Sequence, residues 1–221
     1  MNLKGIILIG LTLSQFSSFS QNYNVSGEDR NQTIELTNQG IDAIKENKTD
    51  EAFTLLTKAI SIDSTFRPSF INLYKVFVQK KDYSEQVITY LNKGKRIFKE
   101  DDELSFYLGE IYRVNSNIKK AIQEYSTAIK YSKKNGEDFS LVSSYYVNRG
   151  NCYMRTNLVD SALLDYNYAL KLNPNLPNVL LNRGICLFKK GNTNEACEDW
   201  KKSSTLGSAQ AKEYLEKNCN K

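Results

Sequence analysis

The chain opens on an apolar run from Gly5 to Leu13, crosses a polar stretch from Gln21 to Gln32, and then repeats a pattern of small and bulky positions. Gly40, Gly109, Gly150 and Gly184 set the register: Gly150 to Gly184 is 34 residues, and so is Gly40 to Tyr74. Tyr74 to Gly109 is 35 residues, and Gly109 to Gly150 is 41, one period plus seven. Twelve residues past these points stand Ala52, Ala121, Ala162 and Ala196, with Gln86 the exception. Four further on come the bulky residues Leu56, Tyr90, Tyr125, Tyr166 and Trp200. Another three on come Ala59, Ala128, Ala169 and Ser203, with Lys93 out of line. A period of this length predicts a solenoid of helical hairpins, each leaving an apolar face that only its neighbours cover.

A glycine inside a helix costs about 1 kcal/mol relative to alanine. It is tolerable where two backbones approach too closely for a side chain. The expected helix contacts therefore pair Gly150 with Ala162, and likewise Gly40 with Ala52, Gly109 with Ala121 and Gly184 with Ala196. Tyr153 and Tyr166 are expected to fill the space above the Gly150 contact. Asn173-Pro174 and Pro177 break the chain between units, as helix-stop signals do.

With Tyr146, Arg149, Gly150 and Tyr153 on one helix, Ala162, Tyr166 and Ala169 on the next, and Pro174 near the end, Ser143–Leu176 resembles the tetratricopeptide repeat (TPR), a 34-residue helix-turn-helix unit. The resemblance implies an all-α fold, a right-handed TPR superhelix (α-solenoid) of five units: Thr33–Phe66, Arg67–Glu100, Asp102–Asn135, Ser143–Leu176 and Pro177–Gln210. A capping helix and tail over 208–221 should follow, because Gly207 stops a helix and Ala211, Tyr214 and Leu215 then make one apolar stripe. The second unit departs from the pattern at Tyr74, Gln86 and Lys93 and carries Gly94 in its second helix, so looser packing or a bend is expected there. The seven extra residues, Gly136 to Val142, should lengthen the following helix by two turns from Glu137-Asp138, with Phe139, Leu141 and Val142 apolar.

Residues 1–20 read as a signal peptide: Lys4, the apolar run, and small Ser18 and Ser20 before a cleavage point near Ser20. The run is well short of the roughly 20 residues that span a bilayer, so no transmembrane segment is expected in the mature chain. Residues 21–32 read as a polar leader, and the product as exported, periplasmic or secreted. Histidine is absent. That removes imidazole metal sites and the Ser-His-Asp and Cys-His nucleophile systems. Lys plus Arg is 30 against 25 Asp plus Glu, a net charge of +5, mild for this length and without a continuous basic stripe for nucleic acid. No C-x-x-C spacing exists, so no metal and no cofactor are expected.

In an exported chain the four cysteines can pair. The segment from Ala196-Cys197 through Leu206-Gly207 to Leu215 and Cys219 resembles the ends of exported bacterial TPR proteins, which implies a Cys197–Cys219 bridge stapling the cap. A Cys186–Cys197 bridge across one hairpin, or free buried thiols, remain open. The family's architecture further implies that the first helices line a concave groove for a peptide or a partner's helix. Lys45, Lys75, Gln79, Phe106, Glu110 and Arg113 map there from the first three units. Asn151, Arg155, Asn182, Ile185, Phe188 and Lys189 follow from the last two. Arg113, Arg155 and Lys189 would pair with partner carboxylates. Asn151 and Asn182 stand where chaperone-binding TPR domains place the asparagines of a carboxylate clamp, with Val147 in the place of its lysine. The expected function is a non-enzymatic protein-protein scaffold of the cell envelope, with a binder of glycan, lipid or a small ligand as the alternative.

Overall fold

The computed structural model describes residues 25–137 and 141–219. The signal-peptide reading and Phe139 lie outside them. The described residues form eleven α-helices and no strand. They pair as hairpins: α1 (Gly27–Lys45) with α2 (Thr49–Ile62), α3 (Arg67–Gln79) with α4 (Ser84–Ile97), and α5 (Asp102–Val114) with α6 (Ile118–Asn135). Then α7 (Val142–Arg155) pairs with α8 (Val159–Leu172), α9 (Pro177–Lys189) with α10 (Thr193–Thr205), and α11 (Ala209–Asn218) closes the stack on α10. Each second helix packs on the first helix of the next pair. Successive first helices also touch, α1 with α3 through α7 with α9, whereas successive second helices have no comparable contact. The row of first helices is therefore the inner side of the curve.

Helix α1 begins inside the stretch expected to be a leader. The Ser26 hydroxyl accepts from the Asp29 N–H at 3.0 Å, and Glu28 and Asp29 sit where the helix dipole favours carboxylates. Arg30 then reaches the second helix, pairing with Asp63 at 2.8 Å and donating to Thr65 at 2.8 Å. Polar composition hid this turn because its contacts are ionic rather than apolar.

The glycines admit rings. A Cβ on Gly109 would stand 2.6 Å from the Tyr125 ring, and one on Gly150 2.8 Å from Tyr166. Gly184 stands in the same relation to Trp200, and at Gly40 the neighbour is Leu56, 2.9 Å away. The bulky residue sixteen positions on, rather than the alanine at twelve, fills each notch (125 − 109; 166 − 150; 200 − 184; 56 − 40). Ala52, Ala121, Ala162 and Ala196 are fully buried between the helices. An aromatic ring removed from water covers about 150–250 Å². At about 25 cal/mol per Å² this is about 4–6 kcal/mol, an upper estimate that still exceeds the helical cost of the glycine several-fold.

In four hairpins the turn carries a residue at positive φ seven places past the glycine: Asn47 (57°), Ser116 (59°), Asn157 (59°) and Gly191 (85°). The second hairpin lacks one and uses a 3₁₀ turn over Lys81–Tyr83 instead. Tyr74, at the glycine's place, turns to the next pair and stacks on Tyr107 with ring centroids 4.3 Å apart. The small residue has moved to Gly94, where a Cβ would meet Phe70 and Leu104 at 3.1 Å. The α3/α4 pair is accordingly the most open of the five.

The extra residues lengthen the preceding helix rather than the following one. Helix α6 runs 18 residues, and α7 starts at Val142. Gly136, at φ 101°, ends α6 after the helix-compatible run Tyr131–Asn135. Glu137 next accepts from Tyr146 at 3.0 Å and from Tyr168. At the other end, the Ser208 hydroxyl accepts from the Ala211 N–H at 3.2 Å, and a Cys197–Cys219 disulfide ties α11 to α10. Cys152 and Cys186 are free and buried.

Candidate partner-binding surface

The first helices carry both tied and free side chains. Glu110 is 7% exposed, and its carboxylate accepts from Tyr125, from Asn148 at 2.8 Å and from Arg113 at 3.2 and 2.8 Å. It neutralises Arg113 and joins three helices, so it belongs to a buried network and not to an open wall. Its hydrogen bond and charge raise the Arg113 pKa. Burial, followed by the Glu110 charge, raises that of Tyr125. Phe106 is likewise core: it is 6% exposed and lies 4.9 Å from the Tyr145 ring and 6.0 Å from Tyr125.

Three further expected groove residues bridge neighbouring hairpins. Gln79 donates to the Ile44 carbonyl at 2.6 Å and to Asn47 at 3.2 Å, and accepts from Thr49 at 3.0 Å. Asn151 accepts from Tyr166 at 2.8 Å and from Asn182 at 3.0 Å. The two asparagines proposed for a carboxylate clamp thus satisfy each other. Lys45 pairs within its own helix with Asp42 at 2.7 Å. Ile185 is half-buried in the cluster around Trp200.

Lys75, Arg155 and Lys189 are exposed on the inner row, with no carboxylate within ion-pairing distance among the described residues. Beside them stand apolar side chains left in water: Val78 (49% exposed), Val114 (42%) and Phe188 (40%). Phe188 rests against Trp200, with centroids 5.6 Å apart. A pocket of about 420 Å³ opens between it and Tyr214 and Lys217 of α11. Val78 and Val114 escape the periodicity because they follow the last buried turn of their helices, where the pattern predicts a polar end.

A tetratricopeptide-repeat model matches residues 143–176, and a second matches residues 166–198. The chain carries tetratricopeptide repeats. Solved structures share its fold. YrrB, described as a TPR protein with an unusual peptide-binding site, is 19% identical with a TM-score of 0.65 over 86% of this chain and 94% of that one. Pseudomonas aeruginosa pilF is 17% identical with a TM-score of 0.71 over 86% of each chain. Yeast Tom70 is 19% identical with a TM-score of 0.70 over 89% of this chain and 44% of that one. Among curated proteins, the UDP-N-acetylglucosamine–peptide N-acetylglucosaminyltransferase of Giardia intestinalis is 29% identical over 112 residues, 51% of this chain. The chain spans 7% of that relative's length.

The best-matched repeats of this chain also carry a device on the second-helix side. Arg149 grips Asp165 at 2.8 and 2.7 Å and reaches Ser126 of the preceding hairpin at 3.0 Å. Arg183 repeats this with Asp199 at 2.7 Å and Asn167 at 2.9 Å. These arginines lock hairpin to hairpin and are spent structurally. The exposed cations and apolar groups of the inner row take no part in these locks. No helix among the described residues is long and apolar enough to cross a membrane, and none of their side chains cluster as metal ligands.

Proposed function

We propose that this chain is a non-enzymatic adaptor of the cell envelope that holds an extended peptide or a partner's helix against its inner row of helices. The observation that carries the reading is the coincidence, on one face, of unpaired Lys75, Arg155 and Lys189 with exposed Val78, Val114 and Phe188. Apolar groups in water beside unneutralised cations suit a segment of mixed aliphatic and acidic character. The peptide-binding site named for YrrB is in keeping with this. The Cys197–Cys219 bridge supports export, since structural disulfides are rare in reducing compartments. Cleavage near Ser20 would then release the folded array. The matched transferase region is too small a part of that enzyme to bring its activity here.

The test is cross-linked capture of partners by the unaltered chain and by the triple variant Lys75→Glu, Arg155→Glu, Lys189→Glu. These side chains are exposed, so folding should persist while the captured set is lost. Undiminished capture would move the binding surface to the outer helices.

A further inference from the structure

One corner of the inner row has a charge arrangement that the fold leaves unresolved. The irregular second turn brings Lys81 round to the inner side, where its ammonium donates to the Val78 carbonyl at 3.0 Å and lies 4.1 Å from the Phe77 ring centroid. Asn115, just past the end of α5, donates to Ser84 at 2.5 Å, so the last turn of α5 is fastened beside that same corner. That turn presents Arg113 and Val114. The Asn115–Ser84 bond sets Lys81, three residues before Ser84, near Arg113, two residues before Asn115; burial, followed by the Arg113 charge, lowers the Lys81 pKa. The neighbouring acid, Asp82, acts on Lys80 instead.

The available carboxylate is already committed. Glu110 accepts from Nε and Nη2 of Arg113, from the Tyr125 hydroxyl and from the Asn148 amide. No other acid among the described residues lies within ion-pairing distance of Lys81 or Arg113. Arg113 keeps donor capacity on its open side, with its side chain 34% exposed. Val78, whose carbonyl Lys81 holds, and Val114, next to Arg113 in the chain, are two of the most exposed aliphatic side chains of the inner row.

We propose that the corner bounded by Val78, Lys81, Arg113 and Val114 receives an aspartate or glutamate side chain of an extended partner segment, whose flanking aliphatic residues lie on the two valines. This rests on the inner-row reading above and assigns its chemistry. A carboxylate placed there neutralises Lys81, which has no acid of its own, and gains charge-assisted hydrogen bonds from Lys81 and from the donors that Arg113 keeps on its open side. The valines lose water at the same time. A basic or purely apolar segment gains only the second of these.

Random eight-residue peptides displayed on phage are selected on the full chain. Winning peptides are then titrated by fluorescence anisotropy against the parent, Lys81→Glu and Lys81→Met, with thermal melting confirming that each variant folds. The expected winners carry an acid between Val, Ile or Leu residues. Their affinity should fall about tenfold or more on Lys81→Glu, the size of one lost charge-assisted bond. Replacing the peptide's acid by lysine should restore binding to Lys81→Glu and not to the parent, an outcome that a merely structural role for Lys81 does not produce. Winners without an acid, or affinities that ignore Lys81→Glu but collapse on Arg155→Glu or Lys189→Glu, overturn the assignment while leaving the inner row as the binding face. No enrichment of any peptide overturns both.

Discussion

Gly109→Ala sets two effects of opposite sign against each other at one atom. Replacing a helical glycine by alanine normally stabilises by about 1 kcal/mol, because the unfolded chain loses freedom. Here the new methyl would stand 2.6 and 2.7 Å from two carbons of the Tyr125 ring, well inside contact distance. The ring is fully buried, its hydroxyl is bonded to Glu110, and Phe106 lies behind it at 6.0 Å, so it cannot swing away. Overpacking of this kind costs about 1–3 kcal/mol, and a tethered ring belongs at the upper end. The net expectation is a loss of about 1–2 kcal/mol, or about 2–8 °C in Tm for a chain of this size. Gly27→Ala is the control: nothing lies within 4 Å of its Cβ, so it should be neutral or slightly stabilising. Far-UV circular dichroism follows the whole array, and the single tryptophan, Trp200, reports the last hairpin separately, which matters because repeat arrays can melt in parts. If Gly109→Ala melts at or above the parent temperature, the notch-and-ring explanation of the 34-residue register is wrong.

Other consequences are open to equally direct tests. Reducing the Cys197–Cys219 bridge, which spans 22 residues, should ease opening of α11 by about 3 kcal/mol, seen as faster amide exchange in 209–218 and altered Trp200 emission. Glu110→Ala should cost about 3 kcal/mol by leaving Arg113 half-buried without its acid, read by urea titration; recovery of most of that stability in Glu110→Gln would show that shape rather than charge holds the network. Burial raises the free thiols of Cys152 and Cys186 to about 11 from an ordinary 9.0. The protonated form is thus the one favoured in the fold, so their contribution is intact below pH 9 and is lost as pH rises from 9 towards 11; both should resist alkylation at pH 8 until the chain is unfolded. Arg155→Glu and Lys189→Glu, on exposed sites, should change stability by no more than about 0.5 kcal/mol.

Much of the architecture was legible in the sequence. The register of small and bulky residues specifies which faces meet, and the final stripe of Ala211, Tyr214 and Leu215 specifies a closing helix. The candidate surface was less so. Periodicity says that Glu110, Asn151 and Gln79 point the same way as Lys75 and Arg155. It is silent on whether a donor from a neighbouring hairpin, 30 to 38 positions away, waits for them, as Asn182 does for Asn151, Asn148 for Glu110 and Thr49 for Gln79. Lys81 was invisible as an inner-row residue because its placement follows from a turn that lacks the usual positive-φ residue.

What the amino-acid sequence settled alone was the all-helical stack, since a 34-residue recurrence of glycine, alanine and ring-bearing positions has few other ways to bury its apolar faces. Only the folded chain decided that α6 takes up the insertion, that α1 starts at Gly27, and which polar groups of the inner row are spent. Burial is additive along a helix and so can be read from spacing. Hydrogen bonding and ion pairing are settled between particular atoms on different hairpins, and those distances exist only once the hairpins have stacked.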